Sequence, residues 1–263
     1  MRRDLPGAGN LRAGLSMPDG PEPLDWQGAP LDCTDCRFRA RLAPGRCGLG
    51  WSCLQDRYAK RIERFFLLNR DLADECLTHP YFEVRMNAAR VASVFRLPRM
   101  LSDPDAGVRA MAILRLPSVQ AARRVHDPDR RVRIAVAHRL DVDALVAMAD
   151  DADSYVRSIV ARRAAPGMLP VMLGDDDPEI RRIVARRIGE GWLDRLRLDP
   201  DPLVRREAAA RCPAPFVGDA DMRVRHTVAE NGTTAEAEAL LDDPEEIIRE
   251  TARARLAQLK ENA

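Results

Sequence analysis

A branched-aliphatic residue followed by arginine recurs at Val84-Arg85, Val108-Arg109, Val132-Arg133, Val156-Arg157, Ile180-Arg181, Val204-Arg205, Val224-Arg225 and Ile248-Arg249. The steps are 24 residues throughout, except for one of 20 between Val204 and Val224. Such regularity marks a repeat architecture and constrains the fold more than any other feature of the chain. Helix-pair repeats need roughly 34 to 47 residues. A shorter unit leaves room for one three-turn α-helix and a brief second helical piece. A 3₁₀ helix, rising about 2.0 Å per residue, suits that second piece because it covers length with few residues. Strands are disfavoured there, since regular alternation and β-branched runs are missing.

Other positions keep the same step. Five before the aliphatic marker stand His79, Asp103, Asp127, Asp151, Asp175, Asp199, Asp219 and Asp243, with proline next at 80, 104, 128, 200 and 244. The following position is acidic in every repeat but the first, from Asp105 to Glu245. This reads as a helix start: the first aspartate caps free amides, proline takes the first helical position, and the second acid opposes the dipole. Within the helix the marker and its +4 partner (Val132 and Val136, Val156 and Val160) form one apolar stripe. Met100-Leu101, Met172-Leu173 and Leu240-Leu241 feed the second segment, with Pro98, Pro117, Pro166-Gly167 and Gly191 expected to break the chain between the two.

The run Asp127-Pro128-Asp129-Arg130-Arg131-Val132-Arg133-Ile134-Ala135-Val136-Ala137-His138-Arg139-Leu140 carries the pattern most fully. With its 24-residue spacing it resembles the leucine-rich repeat variant family, over residues 70 to 260. The resemblance implies an all-α repeat solenoid, a superhelix of alternating α and 3₁₀ helices without strands. The sixth repeat departs from it by losing four residues near Cys212-Pro213-Ala214-Pro215.

The marker arginine lies about 100° round the helix from the apolar stripe, so it borders the core. One reading is a structural ladder, each guanidinium pairing with an aspartate or a carbonyl of the neighbouring repeat. The other is a basic stripe for phosphate, drawing on Arg123, Arg124, Arg130, Arg131, Arg162, Arg163, Arg186 and Arg187. Charge favours the ladder: from Asp103 to Asp242 there are 24 acids against 22 arginines, a net charge of −2.

Before the repeats stand Cys33, Cys36, Cys47 and Cys53, spaced C-x2-C-x10-C-x5-C, with Pro44, Gly45, Gly48 and Gly50 supplying turns that let the sulfurs converge. No histidine lies nearby, so an all-cysteine shell is expected. Four thiolates this close can hold zinc or an iron–sulfur cluster. Structural zinc favours two short C-x2-4-C pairs, and the second spacing here is wider. Eight basic residues against three acids between Cys33 and Arg64 suit an anionic centre of either kind. The resemblance decides between them: an iron–sulfur module is known in front of leucine-rich variant repeats, which implies Cys33, Cys36, Cys47 and Cys53 as ligands of a [4Fe–4S] cluster, zinc being the alternative. Trp51 is expected to shield the site, and Cys76 and Cys212 to be small buried hydrophobes.

The domain reading is a loosely ordered, glycine- and proline-rich arm over residues 1–32, then the metal module over 33–78 with an amphipathic docking helix at 57–78, then eight repeats over 79–263. An unbroken helix from near Pro244 to Lys260 is expected to close the far end. Gly7-Ala8-Gly9 with Gly14 has the wrong spacing for a dinucleotide loop, and Asp175-Asp176-Asp177 falls on a helix start. The histidines share no repeat phase, so no enzyme is indicated. No stretch nears the ~18 apolar residues of a membrane span, and no apolar run follows Arg2-Arg3, so a cytoplasmic protein is expected. The function expected is a non-enzymatic scaffold that binds a partner protein, with redox sensing or electron transfer at the cluster. The alternatives are a nucleic-acid-binding repeat protein and a zinc-stabilised adaptor.

Overall fold

A computed structural model describes residues 20–261. The glycines at 7, 9 and 14 and most of the expected arm lie outside the described residues. Two compact units follow one another, divided between Arg115 and Leu116. Among the described residues the only β features are isolated bridges, and α-helices alternate with 3₁₀ helices.

In the first unit, the helix Ala59–Leu68 buries Arg61, Ile62, Phe65 and Phe66. It does not continue unbroken to residue 78, as its amphipathic pattern suggested. Asn69 stops it: its buried amide donates to the carbonyls of Phe65 and Arg46, both at 2.8 Å. An asparagine that takes up the last-turn carbonyl competes with the next helical bond. The chain resumes as a 3₁₀ turn, Arg70–Leu72, and a single α turn, Ala73–Cys76. The first repeat helix, Phe82–Val91, is tied to the helix Ala59–Leu68 by an Arg90–Glu63 ion pair, and just beyond it the Ser93 amide donates to Asp74 Oδ1 of the α turn at 2.7 Å. The unit ends with the 3₁₀ helix Val94–Ser102 and the helix Ala106–Arg115.

In the second unit the long helices are Arg130–Arg139, Ser154–Arg163, Pro178–Arg187, Pro202–Ala209, Met222–Asn231 and Glu246–Glu261. Between them lie the 3₁₀ helices Val142–Met148, Pro166–Met172, Glu190–Leu198 and Ala214–Phe216. Markers and +4 partners such as Val132, Val136, Val204 and Ala208 are fully buried, so the predicted stripe is the core. Pro98, Pro166-Gly167 and Gly191 fall inside second segments rather than between segments. In the seventh repeat the second segment is α-helical, Thr234–Ala239, because Thr233 and Glu236 form a capping box ahead of alanines.

The helix start differs from the sequence reading in a definite way. Each long helix begins two residues before its marker, so the second acid is the N-cap. Asp129 accepts from the Arg131 amide at 2.8 Å, and Asp153, Asp177, Asp201 and Asp221 do likewise. The first aspartate instead turns the chain into the cap, Asp127 accepting from the Asp129 amide at 3.0 Å. Prolines such as Pro128 therefore precede the helix, while Pro178 and Pro202 take the first helical position.

That first aspartate is also the receiving end of the arginine ladder. Arg133 donates from Nε and Nη2 to Asp151, at 2.8 and 3.1 Å. Arg157 does the same to Asp175, Arg181 to Asp199 and Arg225 to Asp243; in the first unit Arg85 pairs with Asp103. The carbonyls reached by these arginines belong to their own repeat, not to the neighbour. Arg133 Nη1 bonds Asp127 O at 3.0 Å, and Arg157 Nη1 bonds Asp151 O at 2.8 Å. The shortened repeat keeps this geometry: Arg205 reaches Asp219 at 2.7 Å across 14 residues instead of 18.

A second ladder has no counterpart in the sequence reading. Arg163, Arg187, Arg211 and Arg255 each lie seven residues after a marker and donate to carbonyls ending the preceding repeat helix, as Arg187 does to Ala161 O and Ala164 O at 2.6 and 2.9 Å. Helix ends leave carbonyls without intrahelical partners, and cations are favourable there. The spacing of these arginines repeats like that of the markers, which is the signal that could have found them.

The first ladder makes the repeats acid-labile. Hydrogen bonding by Arg225 holds the Asp243 carboxyl below its ordinary range. Burial pushes Asp175 up, but bonds from Arg157 and the Asp177 amide outweigh it and leave a net lowering. Outside the ladder, hydrogen bonding by Arg223 brings the N-cap Asp221 down to about 2. A carboxylate depressed on folding stabilises fully above its unfolded pKa, about 3.9, and stops doing so as pH falls through the folded value. Thermal melts followed by far-ultraviolet circular dichroism should therefore be insensitive to these groups above pH ~5 and fall progressively below pH ~4. A melting temperature unchanged down to pH ~2 would contradict the ladder.

Candidate metal centre

Residues 33 to 56 form a run of turns with one 3₁₀ turn, Arg39–Arg41. Gly45 and Gly50 have φ of 68° and 71°, a backbone region that side chains disfavour, and they set the reversals on either side of Cys47. The Gly48 amide bonds Ser52 O at 2.7 Å and the Ser52 amide bonds Gly48 O at 2.9 Å, closing a three-residue loop between Cys47 and Cys53.

Cys47 and Cys53 are buried, while Cys33 and Cys36 are half-buried. The four thiols lie within electrostatic reach of one another. A hydrogen bond from Cys53 lowers the pKa of Cys47, and the same bond together with burial raises that of Cys53. Burial raises Cys33, with Cys53 and Cys36 adding to the effect. The Gly48 amide faces Cys47, and those of Gln55 and Asp56 face Cys53. Backbone N–H groups at sulfur stabilise thiolates and tune clusters held by them. Among the described residues, no three His, Cys, Asp or Glu side chains are gathered as a single-ion site. The donor set of four soft sulfurs with amide donors behind them fits an iron–sulfur group.

The expected positive surround is partly neutralised. Arg37 pairs with Glu75 and Arg41 with Asp71 at the surface. Arg61 is 1% exposed and bonds Asp56, itself 0% exposed, at 2.8 Å. That buried pair is absent from the sequence reading, because an i, i+5 acid–base spacing has no distinctive signature. Arg61 also ties the site to the helix, its carbonyl accepting from the Cys53 amide at 3.2 Å. Trp51 is partly exposed, with the Arg64 guanidinium 5.7 Å from its ring. Cys76 is buried as expected, and burial raises its thiol to about 11; Cys212 is only half-buried.

Elsewhere, several arginines considered for phosphate are occupied. Arg163 and Arg187 cap helix ends, Arg130 and Arg131 meet Asp153 and Asp129, and Arg186 meets Glu207; Arg123 and Arg162 are exposed. One constellation has the outline of a hydrolytic triad: Thr251 Oγ1 lies 3.2 Å from His226 Nε2, and Glu230 lies 3.6 Å from Nδ1. Thr251 spends its proton on Ile247 O at 2.8 Å, so its hydroxyl is not presented to the imidazole as a nucleophile must be. No described helix is long and apolar enough to cross a membrane.

Residues 23–75 match the family model of the LRV protein FeS4 cluster. A solved leucine-rich repeat variant, described as having a novel repetitive structural motif, is 36% identical and superposes with a TM-score of 0.78, covering 86% of this chain and 99% of that one. A stretch of 105 residues is 70% identical to an uncharacterized 27.7 kDa protein of Rhodobacter capsulatus from the nifB 3′ region. That match spans 40% of this chain and 43% of the relative. The chain therefore belongs to the leucine-rich repeat variant family and carries an iron–sulfur module ahead of its helical repeats.

Proposed function

We propose that Cys33, Cys36, Cys47 and Cys53 hold a [4Fe–4S] cluster, and that the protein is a non-catalytic scaffold whose repeats bind a partner protein. The observation carrying this reading is the set of four mutually close thiols inside the matched module, with amides of Gly48, Gln55 and Asp56 turned to the two buried sulfurs. When bound, such a group supplies one-electron chemistry. The chain's own part is to hold four thiolates, keep Cys47 and Cys53 dry, and supply donors to their sulfurs. Zinc would need every sulfur about 2.3 Å from one point, and among the described residues no three such side chains are gathered as a single-ion site. The domain division proposed is the arm over 1–32, the module over 33–78 and the repeats over 79–263, in a cytoplasmic protein where thiols stay reduced.

Protein purified without oxygen should be brown, with a broad band near ~400 nm and about four irons and four sulfides per chain. Cys47→Ser and Cys53→Ser should each abolish that band. Stoichiometric zinc in a colourless preparation would overturn the assignment. The pairing of most candidate arginines argues against nucleic acid, and a shift of labelled DNA at low salt would revive it.

A further inference from the structure

The loop that joins two of the proposed ligands exposes apolar side chains that the fold does not require. Leu49 is 51% exposed and Trp51 38% exposed, held out by the Gly48–Ser52 closure between buried Cys47 and Cys53. Arg64 donates to Trp51 O at 2.9 Å, which fastens this loop to the helix Ala59–Leu68. On that helix Lys60, Arg64, Leu67 and Leu68 share one face by their spacing, and Leu67 and Leu68 are exposed. The loop and the helix face meet at Arg64, and together they present exposed apolar side chains beside the cations Lys60 and Arg64.

The acids near this surface are committed elsewhere: Asp56 to Arg61, Glu63 to Arg90 and Asp71 to Arg41. Among the described residues no carboxylate pairs with Arg46, Arg57 or Lys60, all exposed. Tryptophan and arginine beside aliphatic side chains are the residues that anchor protein interfaces, and complementary charge sets the partner and the rate of encounter. A phosphate backbone would leave Leu49, Trp51, Leu67 and Leu68 without a contact of their own kind.

We propose that the surface of Leu49, Trp51, Lys60, Arg64, Leu67 and Leu68 is the docking site of a small acidic electron-carrier protein. The acidic character follows from Lys60 and Arg64, and the choice of a protein from the exposed apolar side chains beside them. The carrier role rests on the [4Fe–4S] reading, since this surface is the outer side of the Cys47–Cys53 loop.

The test uses the full chain purified without oxygen, titrated calorimetrically with a strongly acidic plant-type ferredoxin as probe. Binding is expected at low salt, weakened about tenfold or more at physiological ionic strength, where charges are screened beyond ~8 Å. Trp51→Ala and Lys60→Glu should each weaken it about tenfold, a typical loss for an interface anchor or a reversed charge. Lys60→Glu is an exposed change that leaves the fold intact. Absence of binding at low salt, or binding by both variants as tight as that of the wild type, would overturn the proposal. So would Trp51-dependent binding to phosphatidylserine vesicles without binding to ferredoxin, which would make the surface a lipid contact. Iron and sulfide are measured on the same preparations: probe binding by iron-free chain would leave the surface standing and remove the cluster reading.

Discussion

Replacing Arg61 with alanine is expected to cost roughly 3–5 kcal/mol and to release the metal module from its folded state. The guanidinium is buried, bonds Asp56 Oδ2 at 2.8 Å and Pro21 O at 2.7 Å, and lies 5.3 Å from the Tyr58 ring. Its removal leaves the Asp56 carboxylate fully buried without its counter-charge. Asp56 cannot simply turn to water, because Oδ1 holds the Tyr58 amide at 2.8 Å where the helix Ala59–Leu68 begins. A buried charge robbed of its partner is the expensive case, whereas an apolar pair of like volume is often neutral. Arg61→Met combined with Asp56→Leu should therefore recover much of the loss. The readouts are thermal melting and iron per chain, because Cys53 is bonded to the Arg61 carbonyl. A single variant that melts and loads iron like the wild type would refute this.

Arg181→Ala should be almost as damaging, at about 3–5 kcal/mol, while Arg186→Ala five residues away should cost under about 1 kcal/mol. Arg181 grips Asp199 with two bonds, of 2.7 and 3.0 Å, and Asp175 O with a third of 2.7 Å, and both side chains are buried. Its loss leaves Asp199 with a buried charge, although that carboxylate must still receive the Asp201 amide at 2.9 Å to start the next helix. Arg186 also meets a carboxylate, Glu207, but its side chain is 50% exposed, so water and salt screen the pair. Urea unfolding of the two variants separates the cases. Equal destabilisation would mean that position in the ladder has no special role.

The contrast between Arg181 and Arg186 marks how far spacing along the chain can reach. Both arginines stand in the repeat, and spacing alone placed Arg181 beside the apolar stripe. The pairing with aspartate was legible because every marker arginine but the last has an aspartate 18 residues on, or 14 in the short repeat. The role of Arg187 was equally periodic but hidden, because its partners are carbonyls, which every residue possesses and no sequence pattern advertises. The exchange of duties between Asp127 and Asp129 was hidden for another reason. Both are good caps, and only the first helical residue, Arg130, decides which of them stands at the N-cap.

For the metal module, the four cysteines and their turns were legible as a thiol-rich site, since few residue types serve soft metals. The burial of Cys47 and Cys53 and the Arg61–Asp56 pair behind them depend on a helix meeting a loop. Residues related by burial alone leave no periodic trace. The break at Asn69 belongs to the same class, because Arg46 O is brought to it by the loop and not by neighbours in sequence.

The amino-acid sequence by itself determined the repeat length, the buried stripe, the alternation of long and short helical segments and the aspartate that answers each marker arginine. All of these follow from local spacing, and a 24-residue unit has few ways to bury one face. Tertiary structure alone decided which aspartate caps, which carbonyls the second arginines satisfy and which thiols are buried. It also decided that Leu49 and Trp51 stay at the surface. Each of these depends on groups far apart in the chain meeting out of water, where an unpaired charge or carbonyl is costly, and that meeting is fixed by packing rather than by spacing.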